Sequence, residues 1–180
     1  ALLTLGIKPS RPETGYGYIQ AIQKEVNGFE DSMIRRVKTF TEKPNHDMAK
    51  IFYESGEFYW NAGIFFWSLP VIMNAFEKYE PEIHSLFSTG KGIYGSDKEE
   101  QFIEKTYEKC KNISIDYAVM EKAENVFVLS ADFGWSDLGT WGSLYEQMKL
   151  DKDSNALKGK SIFMYDSKNN IINVPDDKLV

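Results

Sequence analysis

A single cysteine, Cys110, among 180 residues has no internal partner, so covalent staples are excluded and the fold must rest on a packed core. No apolar run approaches the roughly 18 residues that a membrane span requires. No positively charged, apolar leader opens the chain, and the cytoplasm is the expected compartment. The two histidines, His46 and His84, stand apart from any cysteine or acid at metal-ligand spacing, so neither reads as a zinc ligand. Walker-type phosphate loops and serine-centred nucleophile motifs are also absent from the sequence. Positive charge is in deficit: the net charge of -6 argues against a nucleic-acid surface, which needs a basic face. A phosphorylated small molecule is not excluded, because it needs only one or two well-placed cations.

What is present fits one ordinary globular core. The chain is 42% hydrophobic and 27% charged, with no low-complexity tract and no repeat. Aromatic residues reach 14% and cluster between Phe52 and Trp67, the composition of a buried sheet. Leu2–Ile7 reads as a strand, and Pro9, Pro12 and Gly15 form a loop before extended runs at Tyr16–Ile22 and Met33–Thr41. Asn45 is placed to cap a helix with Met48, Ile51 and Phe52 on its apolar side, ended by Gly56. Phe58–Trp67 is a nearly unbroken apolar run, as in a strand buried on both faces. Ser68 and Pro70 open a second helix carrying Leu69, Ile72, Met73 and Phe76. Ser96 and Glu99 match a capping box before Ile103, Tyr107 and Cys110. A short helix around Asp116–Lys122, a strand at Val126–Leu129 and a helix ending near Met148 follow, and Ser161–Tyr165 with Ile171–Val174 reads as a hairpin.

Alternating strands and helices predict an α/β layered fold with a mixed sheet. Ala1–Ile7 reads as a central strand without a lead-in, and Leu179–Val180 follows directly on the hairpin. The layered fold is therefore expected to be incomplete at both ends, with an open sheet edge that would favour a homo-oligomer.

Four segments carry residues suited to chemistry. Gly15-Tyr16-Gly17 permits close approach of a ligand to the backbone, or simply turns the chain. Glu42 and Lys43 set an acceptor for hydroxyls beside a cation for phosphate. On spacing alone this pair is equally a solvated strand end, because neighbours on a strand face opposite ways, although a turn before Pro44 would draw them together. Asn61 lies within a run so apolar that its amide must find partners, in a ligand or in nearby backbone. Asp137 sits at a strand-to-helix junction, where a carboxylate serves as a helix cap or as a Mg²⁺ ligand, with Asp132 a weaker candidate beside it.

Taken in order, five stretches resemble one family, the bacterial mannose-1-phosphate guanylyltransferases within the nucleoside-diphosphate-sugar pyrophosphorylases. They are Thr4-Leu-Gly-Ile-Lys-Pro-Ser-Arg-Pro-Glu-Thr-Gly-Tyr-Gly-Tyr-Ile19, Phe40-Thr-Glu-Lys-Pro44, Trp60-Asn-Ala-Gly-Ile-Phe65, Ser114-Ile-Asp-Tyr-Ala-Val-Met-Glu-Lys122 and Gly134-Trp-Ser-Asp-Leu-Gly-Thr-Trp141. The resemblance implies a Rossmann-like nucleotidyltransferase fold and formation of GDP-mannose and pyrophosphate from GTP and mannose 1-phosphate. It implies that Gly15, Tyr16 and Asn61 contact the sugar, that Glu42 accepts from its hydroxyls and that Lys43 holds its phosphate. Lys43 and Asp137 would be catalytic, and Asp137 one of two carboxylates on Mg²⁺. Residues 1–150 would form the sugar-phosphate part of the domain, and 151–180 the start of a hairpin or linker region.

The family's glycine-rich nucleotide loop is absent from these 180 residues, and the resemblance implies that its guanine-reading residues and second metal carboxylate would lie upstream. The chain by itself is therefore expected to be inactive. Other expectations compatible with the residues are a different sugar 1-phosphate, or a non-catalytic sugar-phosphate-binding domain.

Overall fold

The computed structural model describes residues 1–22 and 33–180. Its contacts divide the chain into two compact units, Ala1–Phe133 and Gly134–Val180, ahead of the residue-150 boundary read from the sequence.

The first unit is mixed α/β. Its strands are β1 (Leu2–Ile7), β2 (Tyr18–Ala21), β3 (Ile34–Thr41), β4 (Phe58–Phe66) and β5 (Val126–Ala131). The sheet is mixed, as expected, since β1 runs parallel to β5 while the other pairings are antiparallel. An open layered sheet was expected; instead the order β1-β4-β2-β3-β5 closes on itself. Closure comes from Ile34–Arg36 of β3 pairing with Phe127–Leu129 of β5. A ring has no free edge, so the five strands do not present the edge on which self-association was predicted.

Alternation decides what the strands bury. Leu2 and Thr4 of β1, Tyr18 and Ile19 of β2, and Val126 and Val128 of β5 are all fully enclosed. In β4, Phe58, Trp60 and Ala62 are buried, whereas the residues between them are only partly covered and Ile64 and Phe66 are exposed. Burial of β4 on both faces, expected from its apolar run, forms only in part: Phe58, Trp60 and Ala62 are buried, while Tyr59 and Phe65 are half-buried against the core. Phe65 stacks on Trp67 at 5.7 Å, and both rings pack against the core.

Helix α1 (His46–Ser55) starts where Asn45 Oδ1 accepts from Met48 N at 2.9 Å and stops at Gly56, whose φ of 70° suits glycine. Its buried face is Ala49 and Phe52, while Met48 and Ile51, expected inside, are exposed. Phe52 stacks on Phe58 with ring centroids 4.1 Å apart, fixing α1 against β4. Helix α2 (Leu69–Tyr79) buries Ile72 and Ala75 and leaves Leu69 exposed; α3 (Pro81–Ser88) follows directly, a helix the sequence reading did not separate.

Helix α4 spans Glu99–Tyr107. The expected capping box is displaced, because Glu99 Oε2 accepts from Gly95 N at 2.6 Å and Ser96 Oγ from Lys98 N at 3.3 Å, both ahead of the helix. The short helix at residue 116 is a π-helical turn, Asp116–Met120, whose Ala118, Val119 and Met120 are enclosed in the core.

Between α2 and α3 lies Glu80, 1% exposed, whose carboxylate is gripped by Lys122 Nζ at 2.7 Å and by Lys111 Nζ. Burial alone would raise this carboxyl; the hydrogen bonds from Lys111 and Lys122 outweigh it and hold it below the usual range. The bridge ties the helical pair to the chain on both sides of the π-helical turn, through Lys111 before it and Lys122 after it.

The second unit contains α5 (Trp141–Gln147), β6 (Ala156–Lys158) and β7 (Ile171–Asn173). A hairpin between Ser161–Tyr165 and Ile171–Val174 does not form: β7 pairs in parallel with β6, and Ser161 bridges Leu179 instead. The cause is Asn155, 1% exposed, which gathers the surrounding loops. Its Nδ2 donates to Asp151 and to Ser167 O (3.1 Å), while its Oδ1 accepts from Asn170 N (3.1 Å) and Asn170 Nδ2 (2.9 Å). That arrangement places Ile171 beside Ala156. No helix among the described residues is long and apolar enough to cross a membrane.

Candidate functional site

The ends of β2, β3 and β4 bring the sequence candidates of the first unit together. Asn61 is on β4 opposite Gly6 of β1, and its backbone N–H donates to Gly17 O at 2.8 Å. Immediately after it the strand bulges: between the Thr4↔Phe65 and Gly6↔Asn61 pairs, β1 advances two residues and β4 four. Gly63 takes up the excess with a φ of 68°, which a side chain would strain. The bulge turns Gly63 N onto Asn61 Oδ1 at 3.1 Å. Thr4, wholly enclosed, offers its hydroxyl to the same oxygen at 3.2 Å, sharing the proton with Ile64 O at 3.2 Å. The Asn61 Nδ2 donates to Asp116 Oδ1 at 2.9 Å, on the π-helical turn.

Glu42 and Lys43 follow the last residue of β3. A straight strand would send them to opposite faces. Lys43 instead adopts a left-handed φ of 48°, and its Nζ comes within 3.6 Å of Glu42 Oε1. Holding a non-glycine residue there costs about 1–2 kcal/mol, a backbone strain typical of functional positions. Lys43 remains 67% exposed, so its ammonium is available to an incoming anion.

From sequence, Gly15-Tyr16-Gly17 was expected to give close backbone approach or a simple turn, and only Gly15 and Tyr16 were expected to contact the sugar. A Cβ at Gly17 would stand 2.5 Å from Glu42 Oε2 and 3.3 Å from Asn61 Cβ. A side chain at Gly17 would displace the Glu42 carboxylate, and Glu42 and Asn61 flank the room that its absence leaves. Gly15 is exposed, its N–H donating to Glu13 Oε1 at 3.1 Å. Tyr16 is buried edge-on against Trp60 with centroids 5.0 Å apart, so its ring packs in the interior.

Asp116 and Glu121 are further members that the sequence reading left without a role. The signal was there, since both lie in the Ser114–Lys122 stretch. Burial first, and the nearby Asp116 second, raise the carboxyls of both Glu42 and Glu121 above the usual range. Lys43 pulls the Glu42 carboxyl back down, while a hydrogen bond from the Glu42 backbone and the charge of Lys122 do so for Glu121. Among the described residues no group of three His, Cys, Asp or Glu is arranged to hold a metal. Acceptor carboxylates beside one cation suit a ligand with several hydroxyls and a phosphate.

Asp137 belongs to the second unit and is exposed. The helix that follows is capped by Thr140, whose Oγ1 accepts from Ser143 N at 3.1 Å. Asp137 closes a tighter turn, accepting from Gly139 N at 3.0 Å, with Leu138 at a φ of 53°. It supplies one carboxylate, which suffices for Mg²⁺ only with phosphate oxygens, waters or another acid to complete the shell.

The nucleotidyl transferase family matches residues 1–154. A mannose-1-phosphate guanylyltransferase of Escherichia coli is 38% identical over 172 residues, which are 95% of this chain and 37% of that protein. A second, from Sinorhizobium fredii, is 34% identical over 174 residues, 95% of this chain and 32% of its own length. The chain thus spans about a third of the curated relatives it matches.

Among solved structures, one described as a mannose-1-phosphate geranyltransferase from Thermus thermophilus superposes with a TM-score of 0.71 at 26% identity, covering 97% of this chain and 50% of that one. A mannose-6-phosphate isomerase from Helicobacter pylori matches with a TM-score of 0.61 at 27% identity, over 76% of this chain and 52% of the other. Sequence profile and mixed α/β architecture agree, and the chain belongs to the nucleotidyl transferase family.

Proposed function

We propose that this chain forms the sugar-phosphate half of a mannose-1-phosphate guanylyltransferase, which makes GDP-mannose and pyrophosphate from GTP and mannose 1-phosphate. The observation that carries the reading is that Glu42 and Asn61 flank the space over Gly17, with Lys43 paired to Glu42. The names of the relatives in Escherichia coli and Sinorhizobium fredii support it.

In this reading Glu42 accepts from sugar hydroxyls, Asn61 contacts a sugar oxygen and the Gly15–Tyr16 backbone borders the ring. Lys43 neutralises the phosphate and orients its oxygen toward the nucleotide α-phosphate, which it attacks in line while pyrophosphate leaves. Positioning of the reactants is the chain's main contribution, and it removes much of the entropic barrier. Asp137 would ligate Mg²⁺ together with a carboxylate outside these 180 residues. The ion would supply screening of phosphate charge.

The test is pyrophosphate release by the intact protein that carries this chain, given GTP, Mg²⁺ and a panel of sugar 1-phosphates. Turnover selective for mannose 1-phosphate is expected. No turnover, or preference for another sugar, would contradict the assignment. The 180 residues alone contain no glycine-rich nucleotide loop and are expected to release none.

A further inference from the structure

An asparagine side chain offers two N–H donors and two acceptor lone pairs, and at Asn61 nearly all of them are committed. Oδ1 receives Gly63 N at 3.1 Å and the Thr4 hydroxyl at 3.2 Å. Nδ2 gives one proton to Asp116 Oδ1 at 2.9 Å. The opposite amide orientation would set Oδ1 against the Asp116 carboxylate and Nδ2 against the Gly63 N–H. Two attractive contacts would become two repulsive ones, so the orientation is decided by a carboxylate on the π-helical turn and a backbone donor in the bulge. Among the described residues one capacity of Asn61 remains unspent: the second Nδ2 proton.

We propose that Asp116 is a positioning residue that holds Asn61 as a one-way donor, so that the ligand oxygen met by Asn61 must be an acceptor. Glu42, on the other side of the space over Gly17, is the complement, receiving ligand protons as a carboxylate. The pair therefore reads hydrogen-bond direction, accepting from one ligand hydroxyl and donating to another oxygen. This rests on the sugar-phosphate reading of the site. It adds to that reading a role for Asp116, which need not touch the ligand, and a direction for the Asn61 contact.

The experiment is calorimetric titration of the intact protein with mannose 1-phosphate, alongside thermal melts, for the parent and four variants. Asp116→Ala releases the amide and is expected to weaken binding about tenfold, the worth of one hydrogen bond. Asp116→Asn restores most of the affinity, because the introduced carbonyl still accepts from Asn61. Asn61→Asp keeps the acceptors, loses the donor and meets Asp116 as a like charge, so both affinity and melting temperature fall. The double variant Asn61→Asp with Asp116→Asn exchanges the partners: the introduced amide donates to the introduced carboxylate. Its melting temperature recovers, but its affinity does not.

Full affinity in the double variant would overturn the inference, as would Asp116→Asn binding as weakly as Asp116→Ala. A parent that binds no mannose 1-phosphate overturns the site reading and this inference with it. A parent that binds, with Asn61→Asp unchanged, overturns the inference alone.

Discussion

Asn61 Nδ2 meets Asp116 Oδ1 at 2.9 Å, joining β4 to the π-helical turn across 55 residues of sequence. This contact brings two distant sequence stretches together. It also explains why an amide is tolerated in an apolar strand: its partners come from β1, from its own bulge and from the turn. The consequences extend to the neighbouring residues.

Gly17→Ala tests whether glycine is there for room. The first atom that a methyl group would strike is the carboxylate of Glu42, the mobile end of its side chain, at 2.5 Å. Folding stability is expected to change by less than about 1 kcal/mol, since the displaced group can swing aside and the unfolded chain loses freedom. Affinity for a sugar phosphate is expected to fall tenfold or more, because a charged hydrogen-bond acceptor has moved. Paired denaturation and titration measurements check this; loss of stability without loss of affinity would be the contrary result.

Glu42→Gln tests the electrostatics. Burial, then Asp116, raise the Glu42 carboxyl above its unfolded value, with Lys43 opposing them. A carboxyl raised by folding favours the native state at low pH, and that contribution is lost as pH rises through its folded pKa. At neutral pH the charge therefore costs stability that glutamine does not. Denaturation from pH 4 to 8 should show the variant gaining on the parent as pH rises, even as ligand affinity drops. A flat difference would show that burial and the Asp116 charge do not penalise the ionised carboxyl.

Glu80→Gln should give the opposite slope. Hydrogen bonds from Lys111 and Lys122 outweigh burial and lower this carboxyl. Its contribution is present above the unfolded carboxylate pKa and lost as pH falls through the lower folded value. The variant is expected to be about 2 kcal/mol less stable at neutral pH, the scale of hydrogen bonds to a charged group. The deficit shrinks in acid. Chemical denaturation at pH 7 and pH 3 reads both effects.

Asn155→Ala tests the second unit. The side chain is 1% exposed and serves Asp151, Ser167 and Asn170. Its removal strands buried polar groups and should cost about 2–3 kcal/mol. Faster hydrogen exchange in Ala156–Lys158 and Ile171–Asn173 would show that the parallel pair depends on it; unchanged protection would show that it does not.

Local signals were legible in the sequence where a residue acts on its neighbours. Asn45 and Gly56 delimit α1 because capping is decided within a few residues. Glu42, Lys43 and Asn61 were legible as chemistry for the same reason: each residue type sets what it can donate or accept. What was not legible depended on distance. Ring closure needs β3 to find β5 far along the chain, and no spacing records that pairing. Asp116 read as part of a short helix because its partner is on another strand. Met48 and Ile51 followed helical spacing, yet they are exposed, since a period shows which residues share a face and not what covers it.

Lys43→Ala asks whether Glu42, Lys43 and Asn61 receive a sugar phosphate. Alanine keeps a Cβ at the left-handed backbone position, so the variant removes the ammonium and leaves the strain in place. The measurement is calorimetric titration of mannose 1-phosphate into the intact protein, parent and variant, with melting temperatures alongside. Saturable binding by the parent is expected, with at least tenfold weaker binding by Lys43→Ala at a melting temperature within about two degrees. Equal affinity in parent and variant would contradict it.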